Sequence, residues 1–390
     1  MGSTLVLFVL AASLAAPSTE LSDTGAAVRL RHESVDAGET SADALTLRAA
    51  AFGAMEPYEA ITIFGEVEAV TVLSGNFDDG EGPPNGRPVI PDPATLNLNQ
   101  AFIEGRSGQT AAVRVGRQRI NLGEQRFVGA VAFRQNDQVL DAVRGLVTLP
   151  LGIGVDATRV LAVNRPLGPR DQDDQLDGNA TLLRVEKATP FGQIIGFRYD
   201  LDLKEDDMTA RVAGAQSVTL GAEWRGQMGR DGRGLAWSGV LAQQENETSR
   251  TKSPYGKAEG TLLLERMELS VRYERLGGGE EAFQTPLGTN RAFQGFADLF
   301  LVTPDDGIED LSIGWRLRLG QFGPIRGLRF DGRVHRFEAT ETADDYGDEL
   351  DLTLSWRTKR ATFSMERGAY RAEDFGDDTT RWWFTAGMNF

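Results

Sequence analysis

The chain of 390 residues contains no cysteine, two histidines and five lysines. The lack of cysteine excludes a disulfide scaffold, thiolate metal sites and a thiol nucleophile. His32 and His335 are the sole imidazoles, which removes most zinc centres. After residue 16 no uninterrupted apolar run approaches the ~18 residues of a membrane-spanning helix. A glycine-rich phosphate loop, an EF-hand and a heptad repeat are missing too, so no cofactor or metal is expected. Basic charge is scarce relative to acid: 41 Lys and Arg against 57 Asp and Glu leave a net charge of −16. That surplus argues against a nucleic-acid partner. Arginine supplies all but five of the 41 basic residues, a bias toward rigid, permanently charged forks.

Leu5 to Ala16 is a short run of Leu, Val, Phe, Ala and Ser. Ser13-Leu14-Ala15 places small residues at the −3 and −1 positions of a cleavage site after Ala15. Residues 1–15 are expected to be an export signal, although the first basic residue is Arg29.

Almost everything after the leader has period two. Leu311, Ile313, Trp315, Leu317 and Leu319 alternate with Ser312, Gly314, Arg316 and Arg318. Leu350, Leu352, Leu354 and Trp356 alternate with Glu349, Asp351, Thr353, Ser355 and Arg357. Ile195, Phe197, Tyr199 and Leu201 alternate with Gly196, Arg198, Asp200 and Asp202. Such patterns describe half-buried strands. Eighteen of them can be placed between residue 25 and Phe390, most near ten residues long, the length that crosses a bilayer at a tilt. Short connections such as Glu56-Pro57, Ser107-Gly108 and Thr189-Pro190 alternate with longer ones such as 74–95, 121–137 and 277–307. The expected fold is an all-β, transmembrane, antiparallel up-and-down β-barrel of about eighteen strands over residues 16–390, in the outer membrane of a Gram-negative bacterium. A terminal aromatic, Phe390, fits recognition by the barrel-assembly machinery. No plug domain precedes the first strand, which argues against an energy-coupled receptor. Asp78-Asp79, Asp305-Asp306, Asp344-Asp345 and Asp377-Asp378 lie in or beside long loops. They read as solvated loops, or as acids bridged by divalent cations to lipopolysaccharide.

Lipid offers no hydrogen bonds, so the polar face of each strand is expected to point inward. Arg29, Arg48, Arg114, Arg198, Arg225, Arg272, Arg316, Arg318, Arg329, Arg333, Arg357 and Arg381 fall on that face. Glu66, Glu68, Asp200, Glu223, Glu268, Glu274, Asp331, Glu349, Asp351 and Glu366 join them. Charges of both signs imply a wet lumen or arginine–carboxylate pairs along the wall. An arginine surplus at the narrowest level would favour anions. His335 also lies on this face, with Asp331 four residues away at ~13 Å along a strand. That is too far for a hydrogen-bonded acid–base pair, so no enzyme is expected.

Two loop segments stand apart: Gly116-Arg117-Gln118-Arg119 through Phe133-Arg134-Gln135 to Asp141-Ala142-Val143-Arg144, and Phe283-Gln284-Thr285-Pro286-Leu287 through Phe296-Ala297-Asp298 to Thr303-Pro304-Asp305-Asp306-Gly307. With Leu98-Asn99-Gln100-Ala101-Phe102, they resemble the alginate export family of outer-membrane barrels. The resemblance implies eighteen strands and an arginine-rich conduit for an anionic uronate polysaccharide, gated by loops or turns; a periplasmic partner is possible and is not identified by the sequence. By position it makes Arg117, Arg119, Arg126, Arg134 and Arg144 the motif arginines, and Asp141 and Asp298 the acids that pin the loops. A general or nutrient-specific porin of the same fold is the first alternative. A plugged structural or adhesive barrel is the second.

Overall fold

A computed structural model describes residues 24–80, 84–166, 175–203, 213–230, 232–247 and 249–390. The expected export signal lies outside the described residues. Period-two alternation is realised as eighteen strands: β1 (Thr24–Ala37), β2 (Thr40–Tyr58), β3 (Ile61–Asn76), β4 (Thr95–Ser107), β5 (Ala111–Gln118), β6 (Val139–Leu149), β7 (Ile153–Asn164), β8 (Gln175–Thr189) and β9 (Gly192–Leu203). The second half comprises β10 (Gln216–Arg230), β11 (Arg233–Asn246), β12 (Lys252–Leu263), β13 (Met267–Leu276), β14 (Ile308–Phe322), β15 (Ile325–Glu338), β16 (Asp345–Arg357), β17 (Thr362–Ala372) and β18 (Thr379–Asn389). Each strand pairs antiparallel with its neighbours in sequence, and β1 pairs with β18, closing the sheet. Closure leaves no unpaired edge, which is the condition for a β-structure to span lipid.

All eighteen expected strands are present. The first outer connection is tighter than expected, because Ala37 pairs directly with Thr40 and Gly38 turns the chain at φ +55°. The outer wall carries the lipid-facing side chains. Leu220, Leu241, Leu311 and Ile313 are 62%, 73%, 53% and 57% exposed.

The inner face departs from the expected polarity in one sector. On β9 the apolar residues Ile195, Phe197, Tyr199 and Leu201 are buried inside, while Arg198 and Asp200 stand on the outer face and pair at 2.9 Å. The cause is a hydrophobic core inside the barrel, where Phe127 of the 119–138 connection packs on Phe197 at 5.2 Å between ring centres. Where protein rather than water fills the lumen, the inward face is apolar. Arg117 departs likewise. It shares its face with the exposed Val113 and Val115, so it lies outside the wall near the outer end of β5, paired to Asp141 at 2.8 Å.

Candidate constriction in the barrel lumen

Two connections fold into the barrel and meet there. Residues 119–138 leave β5 and cross the lumen. At the exit, Arg119 spans Glu66 at 2.7 Å and Asp137 at 2.5 Å. Midway, Asn121 accepts a hydrogen bond from the Ala130 N–H at 2.7 Å, and Leu122 bridges Val128, forming a compact lobe. Arg126 reaches the far wall, where it donates to Glu274 at 2.6 Å, and also donates to Thr285 and Asn290, both at 2.9 Å. Arg134 turns back to the near wall and joins Asp298 at 2.5 Å to Glu33 at 3.3 Å. Gln135 is held by Asp92, Thr46 and Arg29, each at 2.7 Å. The segment is therefore fixed to β1, β2 and β3 on one side and to β13 on the other.

Residues 277–307 form the second half. Val128 and Leu287 form a parallel bridge, with the Gly129 N–H donating to the Leu287 carbonyl at 2.8 Å. The Thr289 N–H donates to the Gln125 carbonyl at 2.9 Å. This close approach requires Gly288, since a Cβ there would collide with the Arg126 carbonyl. Gly288→Ala is expected to part the two segments and raise open-channel conductance, read on single channels of the refolded barrel. The segment's far side is tied to the wall: the Ala297 N–H donates to Glu349 at 2.7 Å, the Phe296 N–H to Asp351 at 3.2 Å, and Arg381 to the Ala297 carbonyl at 3.0 Å.

Arg291 locks the junction. Its guanidinium lies 3.6 Å from the ring centre of Phe133, 3.7 Å from Phe296 and 4.3 Å from Trp383, and it pairs with Glu366 at 3.0 Å. One side chain thus joins the first segment, the second, and strands β17 and β18. Cation–π contact is strongest in such desolvated settings.

Burial alone would disfavour the charged form of Arg134, but Glu33 and Asp298 outweigh it and hold the group above its ordinary value. Arg119 is likewise raised against burial by Asp137 and Glu66. These arginines stay charged at any physiological pH.

The remaining sequence-derived arginines lie on the wall. Arg114 donates to Glu104 at 2.8 Å and Arg144 to Asp156 at 2.6 Å. Arg333 bridges Glu259 at 2.9 Å and the Ser312 hydroxyl at 3.0 Å. Arg381 pairs with Glu33 at 3.1 Å. Toward the inner end of β14–β16, Arg316 touches both Glu268 at 2.9 Å and Asp331 at 2.8 Å. Arg318 pairs with Glu268, and Arg329 with Asp331 at 2.7 Å. Arg357 stands exposed at the inner end of the same wall and takes no carboxylate among the described residues. Three guanidiniums there share two carboxylates, and Arg357 stands beside them.

Sequence reasoning missed Glu33, Asp137, Arg291 and Asp310 as site residues. Asp310 and Asp351 flank His335, whose Nδ1 is 3.0 Å from Asp310 and Nε2 3.4 Å from Asp351. These partners come from β14 and β16, across the sheet rather than along the strand. Glu66, Glu68 and Asp137 cluster closely enough to suggest a metal cage. However, Arg48, Arg119, Asn99 and Gln100 already donate to their oxygens. Donors saturate the cluster, and the Glu68 Oε1 atom is the exception. It is an ionic knot rather than a cation cradle.

A closed eighteen-stranded barrel with an apolar outer band, charged inner walls and inward-folded connections is a Gram-negative outer-membrane β-barrel. No protein-family model matches the sequence, and no curated protein is similar to it. Solved structures are similar in fold. Acinetobacter baumannii OccAB4 superposes with a TM-score of 0.72 at 12% identity, covering 95% of this chain and 99% of its own. Pseudomonas aeruginosa OpdK with vanillate gives 0.67 at 12% identity, over 94% and 98%. Pseudomonas aeruginosa OpdQ gives 0.65 at 12%, over 95% and 99%. The resemblance to the alginate export family is thereby corrected. The neighbours in fold are Occ and Opd outer-membrane porins, and the Arg-Gln and Thr-Pro motifs of this chain lie in its inward-folded segments.

Proposed function

We propose that this protein is a diffusion porin for small solutes, with a preference for anions, rather than an enzyme or a polymer conduit. The observation that carries the preference is the wall formed by Arg316, Arg318, Arg329 and Arg357. The first three side chains are 42%, 50% and 43% exposed, and Glu268 and Asp331 neutralise only part of their charge. Exposed positive groups lining a pore favour anion entry. Planar forks also bind carboxylates in a bidentate manner. The two joined segments support a small solute, because they cross the path that a polymer would need. The neighbouring OpdK was solved with vanillate, a small aromatic carboxylate.

The test is the reversal potential under a KCl gradient for the triple variant Arg318→Gln, Arg329→Gln, Arg357→Gln. We expect the anion preference of the wild type to fall to neutrality or below, with the barrel still folded. An unchanged reversal potential would remove this wall from the selectivity mechanism.

A further inference from the structure

The lumen holds one imidazole that the porin reading leaves unused. His335 on β15 is buried, and its ring stacks on Phe337 at 5.2 Å between ring centres. Its Nδ1 is 3.0 Å from both oxygens of Asp310 on β14, and its Nε2 faces an oxygen of Asp351 on β16 at 3.4 Å. Both carboxylates are buried too. An ionised carboxylate only accepts hydrogen bonds, and a neutral imidazole has one donor and one acceptor nitrogen. A neutral ring would therefore aim a lone pair at one of the two acids. A ring with a proton on each nitrogen satisfies both.

The far side of this relay holds the second inward segment. Asp351 uses its other oxygen to accept from the Phe296 N–H at 3.2 Å, and Glu349, on the same face of β16, accepts from the Ala297 N–H at 2.7 Å. Each neighbouring element adds its own charge or hydroxyl. β13 presents Arg272, 3.3 Å from Asp310. On β15, Arg333 is taken by Glu259 at 2.9 Å. On β17, Tyr370 stands opposite Glu349 in register and donates its hydroxyl to the Phe375 carbonyl at 2.8 Å. The segment itself brings Asp298, which Arg134 holds at 2.5 Å. Asp310, Glu349 and Asp351 thus face two cations, Arg272 and the charged form of His335. Loss of the imidazole charge leaves three acids against one cation in a buried setting, where an uncompensated charge is costly.

We propose that protonated His335 is a latch on the second inward segment, and that its deprotonation releases the segment and widens the channel. The proton leaves to a base in the lumen water. Asp351 is then caught between the Glu349 carboxylate and a ring lone pair. Relief of that repulsion turns Asp351 away from the Phe296 N–H and loosens the hold on residues 296–297. The channel is therefore narrow while the ring is charged and wider once it is neutral. The inference rests on the reading of the barrel as a porin whose aperture the joined segments set.

The test is single-channel recording of the refolded full-length barrel between about pH 5 and about pH 10, a span that brackets imidazole titration. Small steps are expected at the acid end. At the alkaline end the share of time in a larger step should be at least about tenfold greater, the scale of one hydrogen bond to a charged group. His335→Gln, which cannot carry the charge, should show the larger step at every pH. His335→Arg, which cannot lose it, should show the small step at every pH. His32 is on the opposite face of β1 from the buried Arg31 and Glu33, beside Phe384, so His32→Gln should keep the wild-type transition. That variant also leaves a single imidazole, whose nitrogen NMR signals should show both ring nitrogens protonated at the acid end. Steps independent of pH, a pH response that persists in His335→Gln, or a ring with one protonated nitrogen at the acid end would overturn the latch and leave the porin reading standing. No steps at any pH would overturn the porin reading. Hydrogen exchange at the Phe296 and Ala297 amides, corrected for its intrinsic pH dependence, then decides the latch: a rise with pH supports it and a flat profile overturns it. Should either His335 variant fail to fold, the wild-type transition and the ring signals decide by themselves.

Discussion

Arg291→Ala is expected to convert a narrow channel into a wide one. The alanine removes a guanidinium stacked between Phe133 and Phe296, placed over Trp383 and paired to Glu366. Each desolvated cation–π contact is worth up to ~2 kcal/mol, so about 2–4 kcal/mol of loop-to-loop attachment disappears. At a tenfold change for each ~1.4 kcal/mol, the fraction of time the two inward segments spend apart rises by about two orders of magnitude. Single-channel records should show larger steps, and liposome swelling should admit sugars that the wild type excludes. Arg291→Lys keeps the charge beside Glu366 but not the flat stacking, so it should fall between the two. Identical conductance and size cut-off in all three proteins would show that the junction does not set the aperture.

The second large effect is on stability. Arg126 and Glu274 have side chains 4% and 0% exposed, and Tyr255 donates a further hydrogen bond to the same carboxylate at 2.6 Å. Arg126→Ala strands a buried carboxylate, a change that costs about 3–5 kcal/mol. The folded form should disappear at a markedly lower temperature on heat-modifiability gels. Adding Glu274→Gln removes the stranded charge, so the double variant should recover much of the loss. A double variant no more stable than Arg126→Ala would mean that packing, not charge, dominates here.

The strands were legible because a bilayer enforces alternation locally. Apolar residues such as Leu311 and Ile313 must face lipid whatever lies elsewhere in the chain. The inner face was less legible, because its polarity depends on what fills the lumen. Where Phe127 occupies it, β9 presents Phe197 and Tyr199 inward and Arg198 outward, the reverse of a water-filled pore. The ion pairs were not legible as pairs. Arg126 and Glu274 lie 148 residues apart, and Arg134 and Asp298 lie 164 apart. Nothing local marks one as the partner of the other. The segments that carry them did stand out, as runs of Arg, Gln, Phe, Pro and Gly that break the alternation. The likeness of those segments to an exporter family did not extend to the solved neighbours in fold, which are Occ and Opd porins.

The account rests on an open, anion-preferring path beside the joined segments. The most direct test is the single-channel current of the refolded wild-type barrel in a planar bilayer under a KCl gradient. Discrete steps of small conductance are predicted, with a reversal potential displaced toward that of chloride and block by a small carboxylate. A reversal potential displaced toward potassium, or no steps from correctly folded protein, would contradict it.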